Sequence, residues 1–445
     1  MHVATQLEKR GQLIARLAES RAMTDELFRV VRTEALYDRP IPERHRIVFY
    51  VGHLEAFDWN LIAGQALGLG QAHPEFDRLF AFGIDPVGGG LPTDQPADWP
   101  RVPEVASYNQ RVRQELDRML SGHSQAPAQP WQFPEETILN VAIEHRLMHA
   151  ETLAYMFHQL PRDRKSAPRS YSPLPPPAPS APAEARMVEI PAGHATLGIP
   201  RQPGLFGWDN EFEVHVVDVP AFAIDVFKIT NGEFLNFMRA GGYDAPRFWD
   251  AADWAWIKKE GITHPRFWFE RLGQWFYRAM FEETPLPMDW PVYVSHAEAA
   301  AYARFTGKSL PTEAQFHRAA YGSPSDEERA FPWGNAPANG GRGNFDFRRW
   351  DPAAVASHPA GRSGFGVEDT LGNGWEWTAT QFAPFPGFQP FPFYRGYSAN
   401  FFDGKHYVMK GASPRTAACF SRRSFRNWFQ GRYPFVYASF RCVSN

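Results

Sequence analysis

Two histidines set four residues apart, His145 and His149 in the stretch IEHRLMHAET (143–152), are the pair in this chain best spaced to grip a single metal ion. On a helix, residues i and i+4 leave the same face one turn apart, so both imidazoles point the same way. Pro134 followed by Glu135 and Glu136 suits a helix start, where proline is tolerated and carboxylates favour the positive end of the helix dipole. The apolar stripe of that helix, Ile138, Ala142, the two histidines, Thr152 and Met156, turns the rings inward. A buried imidazole needs a partner. A metal ion satisfies both rings at once, and hydrogen bonds from neighbouring helices satisfy them equally well, so the spacing alone leaves both readings open. The zinc-protease signature is excluded, because its glutamate directly follows the first histidine and that position holds Arg146. A third ligand would decide the matter. His53, in VGHLEAFDWN within an apolar helical run over 47–62 and flanked by Val51, Leu54 and Phe57, is the best candidate. His73, directly before Pro74, and His123 lie in polar, loop-like surroundings and are weaker.

The elements that must hold these residues read as helices joined by loops. Leu13, Ile14 and Leu17, then Leu27, Phe28 and Val31, make an amphipathic stretch with a break expected near Thr24. The His53 helix follows. After a connection rich in Gly, Pro and Asp over 83–100 comes a helix with Val105, Tyr108, Val112, Leu116 and Met119 at heptad-like spacing. Four helices with a metal-competent pair inside are the pattern of a four-helix bundle carrying its site in the core. Residues 162–186, RDRKSAPRSYSPLPPPAPSAPAEAR, are too proline-dense for a helix and favour extended geometry, which predicts a linker between a helical domain over 1–161 and a second domain over 187–445. The second domain has short β-like runs, many Gly, Pro and Trp residues, and helices at 295–306, opened by a Ser295/Glu298 capping box, and at 311–320. Short strands joined by long connections predict an α+β domain whose loops form pockets.

Composition narrows the function classes. The formal net charge of −3 with interspersed signs offers no basic field for nucleic acid. No apolar run reaches membrane-spanning length and the N-terminus lacks the apolar core of a signal peptide, so a soluble, cytoplasmic protein is expected. Cys419 and Cys442, without a CxxC, indicate neither a disulfide framework nor a thiolate metal site. Aromatic content is 15%, concentrated after residue 206, and suits aromatic-lined pockets as well as core packing.

The motifs MVEIPAG (187–193), TNGEFLNF (230–237), GKSLPTEAQFHRAA (307–320), LGNGWEWT (371–378) and the closing SFRNWF and FRCV resemble the formylglycine-generating-enzyme-like domain, a variant of the C-type lectin fold. The helical domain with His53 and HxxxH resembles the DinB-like four-helix bundle. Together, over nearly the whole chain, they resemble the non-haem iron sulfoxide synthases of ergothioneine and ovothiol biosynthesis, giving a multidomain α and α+β fold class. The resemblance implies that His53, His145 and His149 hold Fe(II), with dioxygen as co-substrate. It implies a catalytic phenol at Tyr394 in PGFQPFPFYRGY, with Tyr397 as its pocket-lining companion. Asn427 and Trp428 fall where those enzymes hold the trimethylated histidine, hercynine. A quaternary ammonium donates no N–H hydrogen bond, so the aromatic faces of Trp428, Tyr397 and Phe429 are its expected receptor. By residue type alone Tyr394 is one aromatic among many, and an asparagine beside a tryptophan equally caps a turn. LGNGWEWT reads as structural, with glycines for tight turns and Trp375 and Trp377 as core anchors. The copper-binding cysteine pair of formylglycine generators has no counterpart.

The departures bear on the donor. Family members that use γ-glutamylcysteine hold its carboxylates with arginines in a loop of the helical domain, and the corresponding residues 82–100 contain none. The acidic residue expected after the asparagine–tryptophan pair is Phe429, and a downstream arginine is Tyr433. A charged donor would be left unpaired, which favours a neutral one. This pattern resembles the selenoneine synthase branch, in which hercynine C2 is joined to a selenosugar. The alternative is C–S bond formation with cysteine, γ-glutamylcysteine or a thiosugar. From other classes, a lectin-like binding module and a thiol transferase built on the helical bundle alone remain; neither accounts for both halves of the chain. The usual GGSW element is altered to GASP (411–414), and nothing in the sequence explains it.

Overall fold

Amphipathic stripes of the N-terminal part pack into long helices around a shared apolar interior. The structure, a computed structural model, describes residues 2–83, 91–121, 130–174 and 186–444. His123, the middle of the 82–100 connection and the proline-rich centre of the expected linker lie outside the described residues. The chain divides into two compact units, Met1–Tyr171 and Ser172–Asn445.

The first unit contains α1 (His2–Phe28), α2 (Ile47–Asp58), α3 (Pro74–Phe82), α4 (Val102–Leu120) and α5 (Glu135–His158). Helix α1 packs on α5, and α2 packs on α3 and α4. Two expectations are corrected. No break occurs at Thr24, because its buried hydroxyl bonds back to the carbonyls of Ser20 (3.3 Å) and Arg21 (3.0 Å) and leaves the helix intact. A fifth helix, α3, begins at Pro74, where the His73 ring accepts the Phe76 backbone N–H as an N-cap. His73 is thereby a structural cap. Helix α2 also runs on beyond Asp58 as a π-helical stretch, Trp59–Ala66. The first part of the expected linker folds onto this unit: Lys165 bridges Val31, and its buried ammonium donates to the carbonyls of Phe157 and His158, both at 3.0 Å, closing the end of α5.

In the second unit, β1 (Met187–Ile190), β2 (Gly193–Leu197), β3 (His215–Val219) and β4 (Phe222–Asp225) precede α6 (Asn231–Arg239) and α7 (Ala251–Glu260). Next come β5 (Trp268–Arg271), β6 (Gln274–Arg278), β7 (Glu283–Pro285), α8 (His296–Phe305) and α9 (Glu313–Tyr321). The chain closes with β8 (Gly374–Gln381), β9 (His406–Ala412), β10 (Asn427–Gln430), β11 (Ala438–Ser439) and β12 (Val443–Ser444). The largest sheet has the order β10-β9-β8-β11, and the last strand returns to pair with β4 beside β1. Helix α8 begins at its expected capping box, where Ser295 accepts the Glu298 N–H. Ile190, Ala195, Val219, Phe222, Ile224, Ala319, Val367 and Val443 form a core cluster between the small sheets and α9. Among the described residues no helix is long and apolar enough to cross a membrane.

LGNGWEWT is the hub of this unit. Gly372 and Gly374 take φ of +102° and +128°, a region that side chains rarely adopt, and Trp375 and Trp377 are buried. Glu376, fully buried between them, receives Lys228 Nζ at 2.6 Å and two N–H groups of Arg441 at 2.6 and 2.8 Å. Arg441 donates its remaining N–H groups to the carbonyls of Asp225, Val226 and Glu368. Replacing one partner of such a cluster strands the others without solvent. Arg441→Leu is expected to destabilise this unit by about 3–5 kcal/mol, read as a lowered midpoint in chemical denaturation; an unchanged midpoint would contradict the role given to the cluster.

Candidate metal centre

The three histidines singled out by spacing converge. The candidate ligand nitrogens of His53, His145 and His149 all lie within 4.8 Å of one another. Helix α5 presents His145 and His149 one turn apart, and α2 brings His53 across, so that His53 Nε2 and His149 Nε2 stand 3.2 Å apart. The tautomer of His53 follows from its other nitrogen. Nδ1 lies 2.6 Å from the Phe80 carbonyl, which only accepts, so Nδ1 carries the proton and Nε2 presents a lone pair. Aromatic rings fix the orientations: Phe49 stacks on His53 at 4.7 Å and Phe57 on His145 at 3.4 Å.

A buried charge cluster beneath the rings sets this geometry. Arg146, adjacent to His145 and fully buried, reaches across to α2 and donates to Glu55 Oε1 (3.0 Å), Asp58 Oδ2 (2.7 Å) and the Leu54 carbonyl (3.0 Å). Glu55, two residues from His53, also takes Arg113 at 2.7 Å, and Arg113 clamps Asp25 of α1 through two bonds of 2.7 Å. Burial opposes the ionised form of Glu55, but the guanidiniums of Arg146, Arg113 and Arg21 outweigh it and hold the carboxyl at about 2. Asp58 is raised, first by burial and then by the charge of Glu55. Four helices are thus tied through one network, with α4 contributing Arg113. The position that excluded a zinc-protease signature anchors the site instead.

Burial also sets the state of the imidazoles. Desolvation lowers His53 to about 4, against the raising effect of its bond to Phe80, and His45 and Arg146 lower it further. His145 and His149 fall well below their usual value, first by desolvation and then through neighbouring positive groups. All three are neutral near pH 7. The His53 lone pair faces His149 Nε2 at 3.2 Å, a place for a proton on His149 or for a cation between the two rings. Neutral imidazoles are also the form that binds a metal, and His149 Nδ1 has no hydrogen-bond partner among the described residues. The residues fit a divalent cation held on one face by three nitrogens.

In the second unit the structure gathers Tyr394, Tyr397 and Trp428 and leaves Phe429 aside. Tyr397 lies 5.6 Å from Tyr394 and meets Trp428 edge-on at 5.3 Å. Trp428 stacks on Phe382 at 4.2 Å. Side chains alternate along β10, so Phe429 faces away from Trp428 and stacks on Tyr433 at 5.4 Å. The expected role of Phe429 in one aromatic receptor with Trp428 and Tyr397 is therefore corrected. The Asn427 side chain accepts the Trp428 backbone N–H at 2.9 Å, a local turn contact. The sequence reading missed Trp208, which stacks on Tyr397 at 3.9 Å and lies 6.4 Å from Tyr394. The sequence offered only the polar run WDNE (208–211), and the structure buries all four of its residues. Burial and then the charge of Asp209 push the Tyr394 phenol up to about 12, so it is protonated at neutral pH.

Comparison with known proteins adds relatives. Residues 171–445 match the family described as the sulfatase-modifying factor enzyme 1-like domain, and residues 16–153 match the DinB superfamily. Hercynine oxygenase of Mycolicibacterium smegmatis is 36% identical over 65% of this chain and 67% of its own length. Hercynine oxygenase of Mycolicibacterium thermoresistibile is 32% identical over 85% of this chain and 82% of its own length. Ergothioneine biosynthesis protein 1 of Neurospora crassa is 27% identical over 92% of this chain, which spans about half, 55%, of that longer protein.

The histidine pKa shifts give a test of the apoprotein. In the unfolded chain the imidazoles protonate near pH 6.5, whereas the folded chain keeps them neutral to about pH 4 at His53. Stability is therefore present above pH 6.5 and is lost as pH falls through the window down to 4. His53 alone is expected to contribute a loss of about 2 kcal/mol between pH 6.5 and pH 5, and His53→Gln should flatten that slope in urea titrations; an equal slope in both proteins would show that His53 titrates normally.

Proposed function

From the premise that the chain belongs to the hercynine oxygenase family, with a DinB-superfamily helical unit and a sulfatase-modifying-factor-like α+β unit, we propose that it is an ergothioneine-type sulfoxide synthase. It is an oxidative enzyme. In this reading it joins the imidazole C2 of hercynine to the sulfur of a thiol donor such as cysteine, γ-glutamylcysteine or a thiosugar. The balance is one C–H and one S–H bond broken, one C–S bond formed, one oxygen atom of dioxygen placed on sulfur and the other released as water. The relatives' names favour this C–S chemistry over the selenosugar alternative, since those described above are named for hercynine or ergothioneine.

The observation that carries the reading is the His53 tautomer. An Nε2 lone pair held 3.2 Å from His149 Nε2, with His145 beside them, is an arrangement for a cation. Fe(II) in that place would supply the redox activation that dioxygen otherwise lacks. His53, His145 and His149 would hold it, and Phe80 and the Arg146 cluster would keep their rings in place. Tyr394, a weak acid protonated at neutral pH, serves as proton donor to the reacting oxygen. Tyr397 and Trp428 take the quaternary ammonium of hercynine on their faces, and Asn427 is the polar group beside them.

A selenosugar donor remains the second reading, carried by the Phe429–Tyr433 stack, an apolar pair where charge pairing with a carboxylate donor was expected. Anaerobic loading with Fe(II), then exposure to oxygen with hercynine and competing donors, distinguishes the two by product mass. Sulfoxide from the thiol donors is expected, whereas selenosugar adduct alone would select the second reading. Tyr394→Phe should bind hercynine as before and lose bond formation by roughly 100-fold or more; unchanged yield would remove Tyr394 from the chemistry. Iron bound with no oxygen uptake in the presence of both substrates would overturn the function altogether.

A further inference from the structure

Asp209 and Glu211 stand two residues apart in one turn, both fully buried, and only one has a cationic partner. Glu211 accepts Arg422 through both oxygens, at 2.6 and 2.9 Å, and Ser424 at 2.6 Å. Asp209 forms no ion pair among the described residues. Its Oδ1 accepts the Ser398 hydroxyl at 2.6 Å, with the backbone amides of Phe391 and Asn210 nearby. The Arg201 guanidinium favours its charged form from beyond contact distance but is itself paired with Glu213 at 2.5 Å, so the buried carboxylate has no cation of its own.

Its surroundings indicate what that could be. Trp208, the residue before Asp209, stacks nearly parallel on Tyr397, the residue before Ser398, with ring centroids 3.9 Å apart. Neighbouring residues on two segments thus make a ring stack and a hydrogen bond side by side. Tyr397 meets Trp428 edge-on at 5.3 Å, and Tyr394 joins the group at 5.6 Å from Tyr397. Aromatic faces with a fixed anion behind them suit a cation that has no N–H to donate. The carboxylate need not touch such a ligand, because its field is weakly screened in a buried setting.

We infer that Asp209 is the fixed countercharge of a quaternary-ammonium subsite walled by Tyr397 and Trp428, with Trp208 stacked behind Tyr397, and that it selects a permanently cationic substrate over a neutral one of the same shape. This rests on the reading of hercynine as substrate and adds a specificity residue to it. Burial raises the Asp209 carboxyl to about 6, opposed by Ser398, so it carries its charge at pH 7.5.

The test uses the full-length, metal-free protein and isothermal titration at pH 7.5 with two ligands: hercynine, and its uncharged isostere with carbon in place of the quaternary nitrogen. Asp209→Asn removes the charge and keeps an acceptor for Ser398. Ser398→Ala removes the hydrogen bond and keeps the charge. The wild type is expected to prefer hercynine. Asp209→Asn should lose roughly tenfold or more in hercynine affinity with the isostere unaffected, and Ser398→Ala should retain the preference. A hercynine-to-isostere ratio unchanged in Asp209→Asn overturns the inference and leaves Asp209 as a clamp for the Ser398 turn. Asp209→Ser gives the same comparison should Asp209→Asn fail to fold. A wild type that binds neither ligand overturns the substrate reading and the inference with it.

Discussion

The helical unit depends on one buried guanidinium. Arg146 sits beside His145 on α5 and donates mainly to groups on α2, the helix that carries His53, with one further bond to the Thr24 hydroxyl of α1 at 3.3 Å. Neither partner can leave the interior without stranding the other, so the two helices hold one relative position. Apolar packing alone tolerates small slides and rotations, because a methyl group fits many hollows equally well. Charged hydrogen bonds fix direction as well as distance. The convergence of the three imidazoles to within 4.8 Å follows from that constraint.

The α+β unit applies the same device around Glu376, where Lys228 and Arg441 converge from distant parts of the chain. Arg441 also satisfies three backbone carbonyls, so a single side chain closes connections that no regular strand or helix would close. Against that background of paired charges, Asp209 and Glu298 are buried carboxylates held by hydroxyls and backbone amides, and Asp209 is the one beside the Trp208–Tyr397 stack. Glu376 is neutralised within the fold, whereas the proposed subsite gives Asp209 a ligand as its countercharge.

Much of the architecture was legible in the chain. Apolar periodicity placed α2, α4 and α5, a capping box placed α8, a helix at 311–320 anticipated α9, and HxxxH put His145 and His149 on one face. Helix α3 was hidden because its cap is a histidine, a residue with no strong capping signature. The continuity of α1 was hidden because Thr24 reads as a helix breaker until its hydroxyl is seen to bond within the helix. Phe429 was misplaced because adjacency in sequence was taken for adjacency in space, and a β-strand sends neighbours to opposite faces.

By itself the sequence determined which residues were chemically able to act: two histidines at helical spacing, a third in an apolar helix, a phenol in an aromatic run, and two units of different composition. Only the tertiary structure decided which of them meet. The His53 tautomer depends on the carbonyl of Phe80, 27 residues away, and the ring stack on Tyr397 comes from Trp208, which no local pattern pairs with it. Local spacing encodes the face of a helix or strand, whereas a contact between distant segments is set by the packing of whole elements, which no short stretch of chain specifies.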